Sequence, residues 1–197
     1  MSVATMSLFF ALLTVVANVV VVVAVVLAVA ARFSERAAGG LRWLRDMVDG
    51  ASLALAALVG LVATLGSLYL SEIAHFPPCQ LCWYQRIAMY PLPVILGIAA
   101  WRRDFGIRPY AIALAAIGSA ISVYHYQLER FPDQSSLSCS VDVPCTTVWI
   151  WRFHYISIPF MALSGFALIV TLLLLGPSER GIAGEEAVEE DLEVVRG

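Results

Sequence analysis

Long apolar runs separated by short polar stretches are the main feature of the chain. Five such segments each reach about the 20 residues that a helix needs to cross the hydrocarbon core of a membrane. Four of them carry no charged residue, whereas the third includes Arg86 near its start. The pattern predicts membrane-spanning helices over about 3–31, 51–70, 83–101, 109–128 and 155–176.

The composition also indicates an integral membrane protein of the all-α class. Of the 197 residues, 60% are hydrophobic and 14% are charged, and the mean hydropathy is +0.83, whereas soluble domains carry about 25% charged residues. The formal charge of −3 comes largely from the C-terminal end, so no basic surface for nucleic acid is expected. Any chemistry must therefore lie between the helices or on the short loops.

The arginines predict how the chain is oriented. The first segment lacks a basic start and is too long for a signal peptide, so we interpret it as a retained helix. Basic residues cluster after the first and third segments, at Arg32, Arg36, Arg42, Arg45, Arg102, Arg103 and Arg108. Stretch 71–78 has none, and 127–154 has only Arg130 and Arg152. The positive-inside rule then predicts a multi-pass membrane protein with its N-terminus outside, its C-terminus cytoplasmic and all four cysteines on the outer side.

Three regions follow from this arrangement. Residues 1–50 form an N-terminal helix with a cytoplasmic connector, residues 51–176 form a four-helix membrane domain, and residues 177–197 form an acidic tail that is expected to be flexible. Within the connector, apolar residues recur at helical spacing, namely Leu41, Leu44, Met47 and Val48. They predict a short helix on the membrane surface, and a solvated connector is the alternative.

The cysteines fall into two pairs on predicted outer loops, Cys79 with Cys82 and Cys139 with Cys145. An even number on an oxidising side usually means disulfides, so two static bridges in a non-enzymatic scaffold are one interpretation. However, a CxxC bridge closes a loop too small to constrain the unfolded chain much, and this spacing is typical of thiol exchange. If Cys82 caps the third helix, Arg86 lies one turn further on the same face and favours its thiolate.

Zinc is a competing interpretation of four cysteines. Structural zinc sites often combine two closely spaced cysteine pairs. Here the second pair has five intervening residues and the first pair adjoins lipid. The sequence therefore favours disulfide exchange over a metal site.

Two stretches carry a resemblance to a known family. "CQLCWYQRIAMYPL", followed after one more spanning segment by "CSVDVPCTTVWIWRFHYISIPFMALSGF", resembles the DsbB family of disulfide-bond-formation proteins, in particular its short-loop, BdbC-type branch. The resemblance covers about residues 52–175. Two departures are the extra N-terminal helix and a second cysteine loop shorter than in the enterobacterial members.

The resemblance implies a four-helix transmembrane bundle, here with one extra N-terminal helix. It implies that the protein reoxidises a DsbA-like thioredoxin-fold thiol oxidase on the outer side and passes electrons to a membrane quinone, either ubiquinone or menaquinone. Cys79 and Cys82 are then the pair coupled to the quinone, with Cys82 and Arg86 beside its ring. Cys139 and Cys145 are the shuttle pair, and Cys139 forms the mixed disulfide with the partner.

Further residues are expected near the quinone. The resemblance suggests His125, although a histidine at the interface that binds water is the alternative. Position in the third segment suggests Trp83, Tyr84, Gln85 and Met89, although Trp and Tyr there also fit an interfacial aromatic belt. An enzyme similar to vitamin K epoxide reductase is a second enzymatic candidate, but its cysteine pairs occur in the opposite order.

Overall fold

The computed structural model describes residues 3–134, 139 and 143–176, so the predicted tail at 177–197 lies outside the described residues. The helices are α1 (Val3–Ala30), α2 (Glu35–Val48), α3 (Ser52–Leu68, continued by a π-helical turn over Tyr69–Ile73), α4 (Gln80–Met89), α5 (Pro91–Arg102), α6 (Arg108–Arg130) and α7 (Ile158–Leu175). Four stretches, Val3–Ala30, Ser52–Ile73, Phe105–Arg130 and Ile158–Leu175, are long and apolar enough to span a membrane. The prediction of an all-α membrane protein is confirmed.

The third predicted segment is the one that differs from expectation. It was predicted as one helix over about 83–101, but it consists of α4 and α5, which meet at Tyr90. Pro91 lies in the first turn of α5, and proline cannot donate the backbone hydrogen bond that would continue α4. Tyr90 itself keeps helical dihedral angles, φ −63° and ψ −34°. The two helices therefore run as one kinked unit from Gln80 to Arg102.

The centre of the bundle is an apolar core to which α3, α4, α5, α6 and α7 contribute. Leu92 and Leu96 of α5 and Phe166, Ile169 and Leu173 of α7 are completely buried there. Small residues let the helices approach closely, as is usual where lipid supplies no hydrophobic force between helices. This core holds α4 in place, which is the helix that begins at the pair of Cys79 and Cys82.

Helix α1 packs outside this core, mainly against α7 and α2. It buries a stripe of small residues, namely Ser7, Ala11, Thr14, Ala17 and Ala24. Asn18 Nδ2 donates a hydrogen bond to Ser164 Oγ of α7 at 2.9 Å. Arg152, in a turn closed by backbone hydrogen bonds with Ile156, donates to Ser7 Oγ at 2.8 Å. These polar contacts attach α1 to the rest of the bundle at two points along its length.

Helix α2 is the short helix that the apolar spacing of the connector predicted. Its Leu41 is buried in a small cluster with Ala24 of α1 and Leu175 of α7. The connector is therefore helical, and it ties the far ends of α1 and α7 together.

Gly118 of α6 provides a test of the packing between α6 and α7. A methyl group at this position would overlap the ring of Phe166, which is completely buried. Gly118→Ala should lower the free energy of unfolding by about 1–3 kcal/mol, the usual cost of overpacking a core. The measurement is thermal unfolding in detergent, followed by far-ultraviolet circular dichroism.

Gly97→Ala is the matched control, because nothing lies within 4 Å of a methyl group at Gly97 and alanine favours a helix over glycine. This variant should be neutral or slightly stabilising. Equal destabilisation by both substitutions would contradict the packing described for Phe166.

Candidate redox site

The first turn of α4 holds the CxxC pair. Pro77 and Pro78 keep the preceding chain out of helical conformation, so the helix begins after Cys79. Cys79, and not Cys82, is therefore the N-cap, and its Sγ accepts a hydrogen bond from the backbone N–H of Cys82 at 3.3 Å. Both thiols are free and their sulfur atoms are 3.0 Å apart. A bond of about 2.05 Å between them needs only a small movement.

His125 of α6 lies on the far side of Cys79. Its Nε2 is 3.6 Å from Cys79 Sγ, and its side chain is buried. The hydrogen bond from the Cys82 thiol and the neighbouring His125 lower the pKa of the Cys79 thiol to about 4, against the opposing effect of burial. The sequence argument looked to Cys82 and Arg86 for a thiolate, whereas these two contacts stabilise one on Cys79.

Arg86 lies one turn after Cys82 and connects α4 to the end of α3. Its Nε donates to Ser67 Oγ at 3.0 Å, and its Nη2 donates to the Ser67 carbonyl at 3.1 Å. The Tyr90 hydroxyl donates to the same Ser67 Oγ at 3.3 Å. The guanidinium also lies over the Trp83 ring, 5.2 Å from its centroid. Two bonds to one residue hold the positive charge at a defined position below Cys82.

The second cysteine pair lies at the same end of the bundle. Cys139 and Cys145 form a disulfide. Cys145 is buried in one apolar cluster with Cys79, Leu81 and Leu128, and Cys139 packs on the edge of this cluster. Cys139 is partly exposed, whereas Cys145 is 2% exposed. Both pairs therefore adjoin one apolar cluster, in which Cys79 and Cys145 are the buried cysteines.

A cavity of about 370 Å³ begins beside the CxxC pair and runs between α1, α3, α4 and α7. Cys82, Gln85, Arg86 and Met89 line it from α4. Trp83 and His125 are not among the lining residues: Trp83 is half exposed, and His125 faces Cys79. Tyr84 is exposed, and its hydroxyl accepts a hydrogen bond from Gln80. The cavity thus has a polar end near the sulfur atoms and apolar walls beyond it.

Gln85 lines the cavity, and α6 holds its side chain in a fixed orientation. Its side chain is 5% exposed, and its Nε2 donates to Ser122 Oγ of α6 at 3.0 Å. Ser122 in turn donates to the Gly118 carbonyl. The amide is therefore oriented by α6, which fixes the rotation of α4 about its own axis.

Sequence reasoning missed three polar residues that shape the site. Ser67 binds Arg86, and Asn18 binds Ser164 of α7. Glu129 is a half-buried residue one turn after His125, and its Oε2 is buried with no hydrogen-bond partner among the described residues. An amide inside an apolar span and a carboxylate four residues after a histidine are both signals of function or packing within a membrane. Ser67 gives no such signal, because serine is common in spanning helices.

The residues that match a known protein family coincide with the helices from α3 to α7. The family model described as Disulfide bond formation protein DsbB matches residues 49–176. The chain belongs to the DsbB family. The match includes both cysteine pairs, Arg86 and His125, and α1 lies outside it.

Several DsbB-family relatives have a high identity to the chain. Disulfide bond formation protein C of Bacillus subtilis is 47% identical over 124 residues, which cover 62% of this chain and 90% of the relative. Probable disulfide formation protein of Deinococcus radiodurans is 48% identical over 131 residues, covering 61% and 85%. Probable disulfide formation protein C 2 of Bacillus anthracis is 44% identical over 128 residues, covering 65% and 91%. No solved structure matches the chain.

Family and structure together give the class of protein. It is a multi-pass membrane protein of disulfide bond formation and a thiol–disulfide oxidoreductase. Membership in the DsbB family favours this function over a scaffold with static bridges and over an enzyme similar to vitamin K epoxide reductase.

The pKa of Cys79 can be measured in a variant that lacks the other pair, with Cys139→Ala and Cys145→Ala. Ultraviolet absorbance of the thiolate should then be lost as the pH falls through about 4, and not near the ordinary cysteine value of about 8.5. Adding His125→Ala should move this transition to higher pH, because one stabilising neighbour is removed.

Adding Cys79→Ala to the same background is the control and should abolish the transition near pH 4. Two thiols that both titrate near pH 8 to 9 would contradict the hydrogen-bonded arrangement of Cys79, Cys82 and His125.

Proposed function

We propose that the protein is a membrane thiol:quinone oxidoreductase. It reoxidises a DsbA-like thioredoxin-fold thiol oxidase on the outer side of the bacterial cell membrane and passes the electrons to a membrane quinone, ubiquinone or menaquinone. The observation that carries the proposal is the position of the CxxC pair. Cys79 packs with the buried cysteine of the other pair, while Cys82 lines an apolar cavity.

The first exchange takes place at Cys139. A thiolate of the reduced partner attacks Cys139 Sγ, which is the more exposed sulfur of the disulfide. The Cys139–Cys145 bond breaks and Cys145 leaves as a thiolate. The second thiol of the partner then displaces Cys139, so that the partner leaves with a disulfide and Cys139 and Cys145 hold its two electrons.

The second exchange passes between Cys145 and Cys79. The Cys145 thiolate attacks Cys79 Sγ of an oxidised CxxC pair, and Cys82 is released as a thiolate on the cavity wall. Cys139 then attacks Cys145 Sγ, which restores the shuttle disulfide and releases Cys79. A thiol with a low pKa is the better leaving group, and the contacts of Cys79 with Cys82 and His125 lower its pKa.

The cavity fits the final electron acceptor. Its walls are mostly apolar, and several of its polar groups, among them Cys82, Gln85 and Arg86, lie at one end, which is the usual character of a cofactor site. A quinone bound there supplies a two-electron, two-proton acceptor and leaves as a quinol. Cys79 and Cys82 give up those electrons as they form a disulfide. Arg86 brings a positive charge to the polar end, and His125 lies 3.6 Å from Cys79 Sγ, where it favours the Cys79 thiolate.

Quinone reduction by the purified protein with a reduced thioredoxin-fold oxidase tests this proposal. Cys82→Ala and Cys139→Ala should each abolish turnover, since each breaks one of the two exchanges. Arg86→Ala should reduce turnover by about tenfold or more, the effect of losing about 1.4 kcal/mol of stabilisation.

Arg102→Ala is the matched control, because Arg102 is exposed at the other end of α5, and it should leave turnover unchanged. No turnover with either quinone, together with disulfides that resist mild reductant, would favour the scaffold instead.

The site of the mixed disulfide can be mapped with a partner that keeps only its attacking cysteine. This partner should become linked to Cys139, because Cys145 is buried under the apolar cluster. The measurement is mass spectrometry of the trapped complex after proteolysis. Linkage to Cys145 would reverse the order of the two shuttle cysteines, and a Cys139→Ala variant provides the negative control.

A further inference from the structure

Helix α1 forms one wall of the cavity that begins at Cys82. Six of its side chains line this cavity, namely Phe10, Leu13, Thr14, Val16, Ala17 and Val20. All of them lie outside the part of the chain that matches the DsbB family, residues 49–176. We infer that α1 completes a channel for the isoprenoid tail of the quinone and thereby sets the preference for tail length. This inference rests on the proposed function.

The channel is deep enough for a tail. Along α1 the lining residues extend from Phe10 to Val20, and along α7 they extend from Ile158 to Leu168. Ten residues of helix rise about 15 Å. Arg152 binds Ser7 at the cysteine end, so both helices run away from the sulfur atoms in the same direction. The cavity therefore reaches about 15 Å from the cysteine end toward the middle of the bundle.

Polarity falls along the channel. At the cysteine end it is lined by Cys82, Arg86 and Ser67, whereas the deep end is lined by aliphatic residues, among them Val20, Leu58 and Leu168. Two hydroxyl groups occur between these ends, and both already have partners. Thr14 Oγ1 donates to the Phe10 carbonyl, and Ser164 Oγ donates to the Phe160 carbonyl. Such a gradient suits a ligand with a polar head and a long apolar tail.

The position of α1 is fixed well enough to shape a ligand site. Asn18 is hydrogen-bonded to Ser164 further along the channel, and Ser7 is hydrogen-bonded to Arg152 at its polar end. Phe10 lies against Gly66 of α3, where a methyl group would be within 2.8 Å of the ring. Helix α1 thus forms part of the cavity wall beside α3 and α7, and the matched domain alone lacks this part of the wall.

The test uses the full chain in lipid nanodiscs and two quinones that share a head group, one with a long isoprenoid tail and one without a tail. Val20→Trp places a bulky ring at the deep end of the channel. It should raise the KM for the long-tailed quinone by about tenfold, the effect of losing contact with about two methylene groups. The kcat and the KM for the tailless quinone should not change.

Val22→Trp is the matched control. Val22 is on the same helix but is 58% exposed and does not line the cavity. It adds the same bulk and should leave both KM values unchanged. Equal values for Val20→Trp and Val22→Trp would overturn the inference. A wild-type protein that reduces neither quinone would instead overturn the proposed function.

Photolabelling gives a second measurement that does not depend on turnover or on the folding of a variant. A quinone analogue with a photoreactive group on its tail should label the wild-type protein within Val3–Ala30, and excess long-tailed quinone should compete. Label confined to α3 and α7 would show that α1 is not part of the channel. Labelling of α1 by a photoreactive phospholipid that quinone does not displace would mean that a lipid chain fills the channel, which also overturns the inference.

Discussion

The start of α4 at Cys79 is the constraint on which the site depends. Two prolines hold the preceding chain extended, and the Cys79 sulfur takes the hydrogen bond that a capping side chain normally supplies. Once this cap is set, helical geometry places Cys82 in the first turn and Arg86 one turn later. The same register turns Gln85 toward Ser122 and Met89 toward the core. A shift of one residue would rotate each of these side chains by about 100°.

Much of this arrangement was predictable from local pattern, and the rest was not. Apolar length gave the spans, and the spacing of Cys82 and Arg86 gave their common face. Pro91 carried the signal for the break at Tyr90, but a continuous apolar run concealed it. The contact of His125 with Cys79 was out of reach, because it joins residues 46 apart in the chain. The cavity was also out of reach, since its shape depends on how separate helices approach.

Hydrogen bonds between helices are especially important for holding this bundle together. Lipid tails are as apolar as the side chains they surround, so burying a valine against another helix gains little from the hydrophobic effect. Hydrogen bonds and close approach must then hold α1 beside the domain. Asn18 and Arg152 supply the bonds, and the small residues on α1 permit the approach. The added helix is therefore integrated into the bundle and is not a detached anchor.

The three-residue spacing of the CxxC pair gives its two sulfur atoms different surroundings. Cys79 is buried in the cluster of the disulfide loop, whereas Cys82 packs on the edge of this cluster and also lines the apolar cavity. One helical turn thus contacts both the cluster of the disulfide loop and the apolar cavity. Two sulfur atoms only one turn apart therefore have different neighbours, a buried protein cluster for Cys79 and an apolar cavity for Cys82.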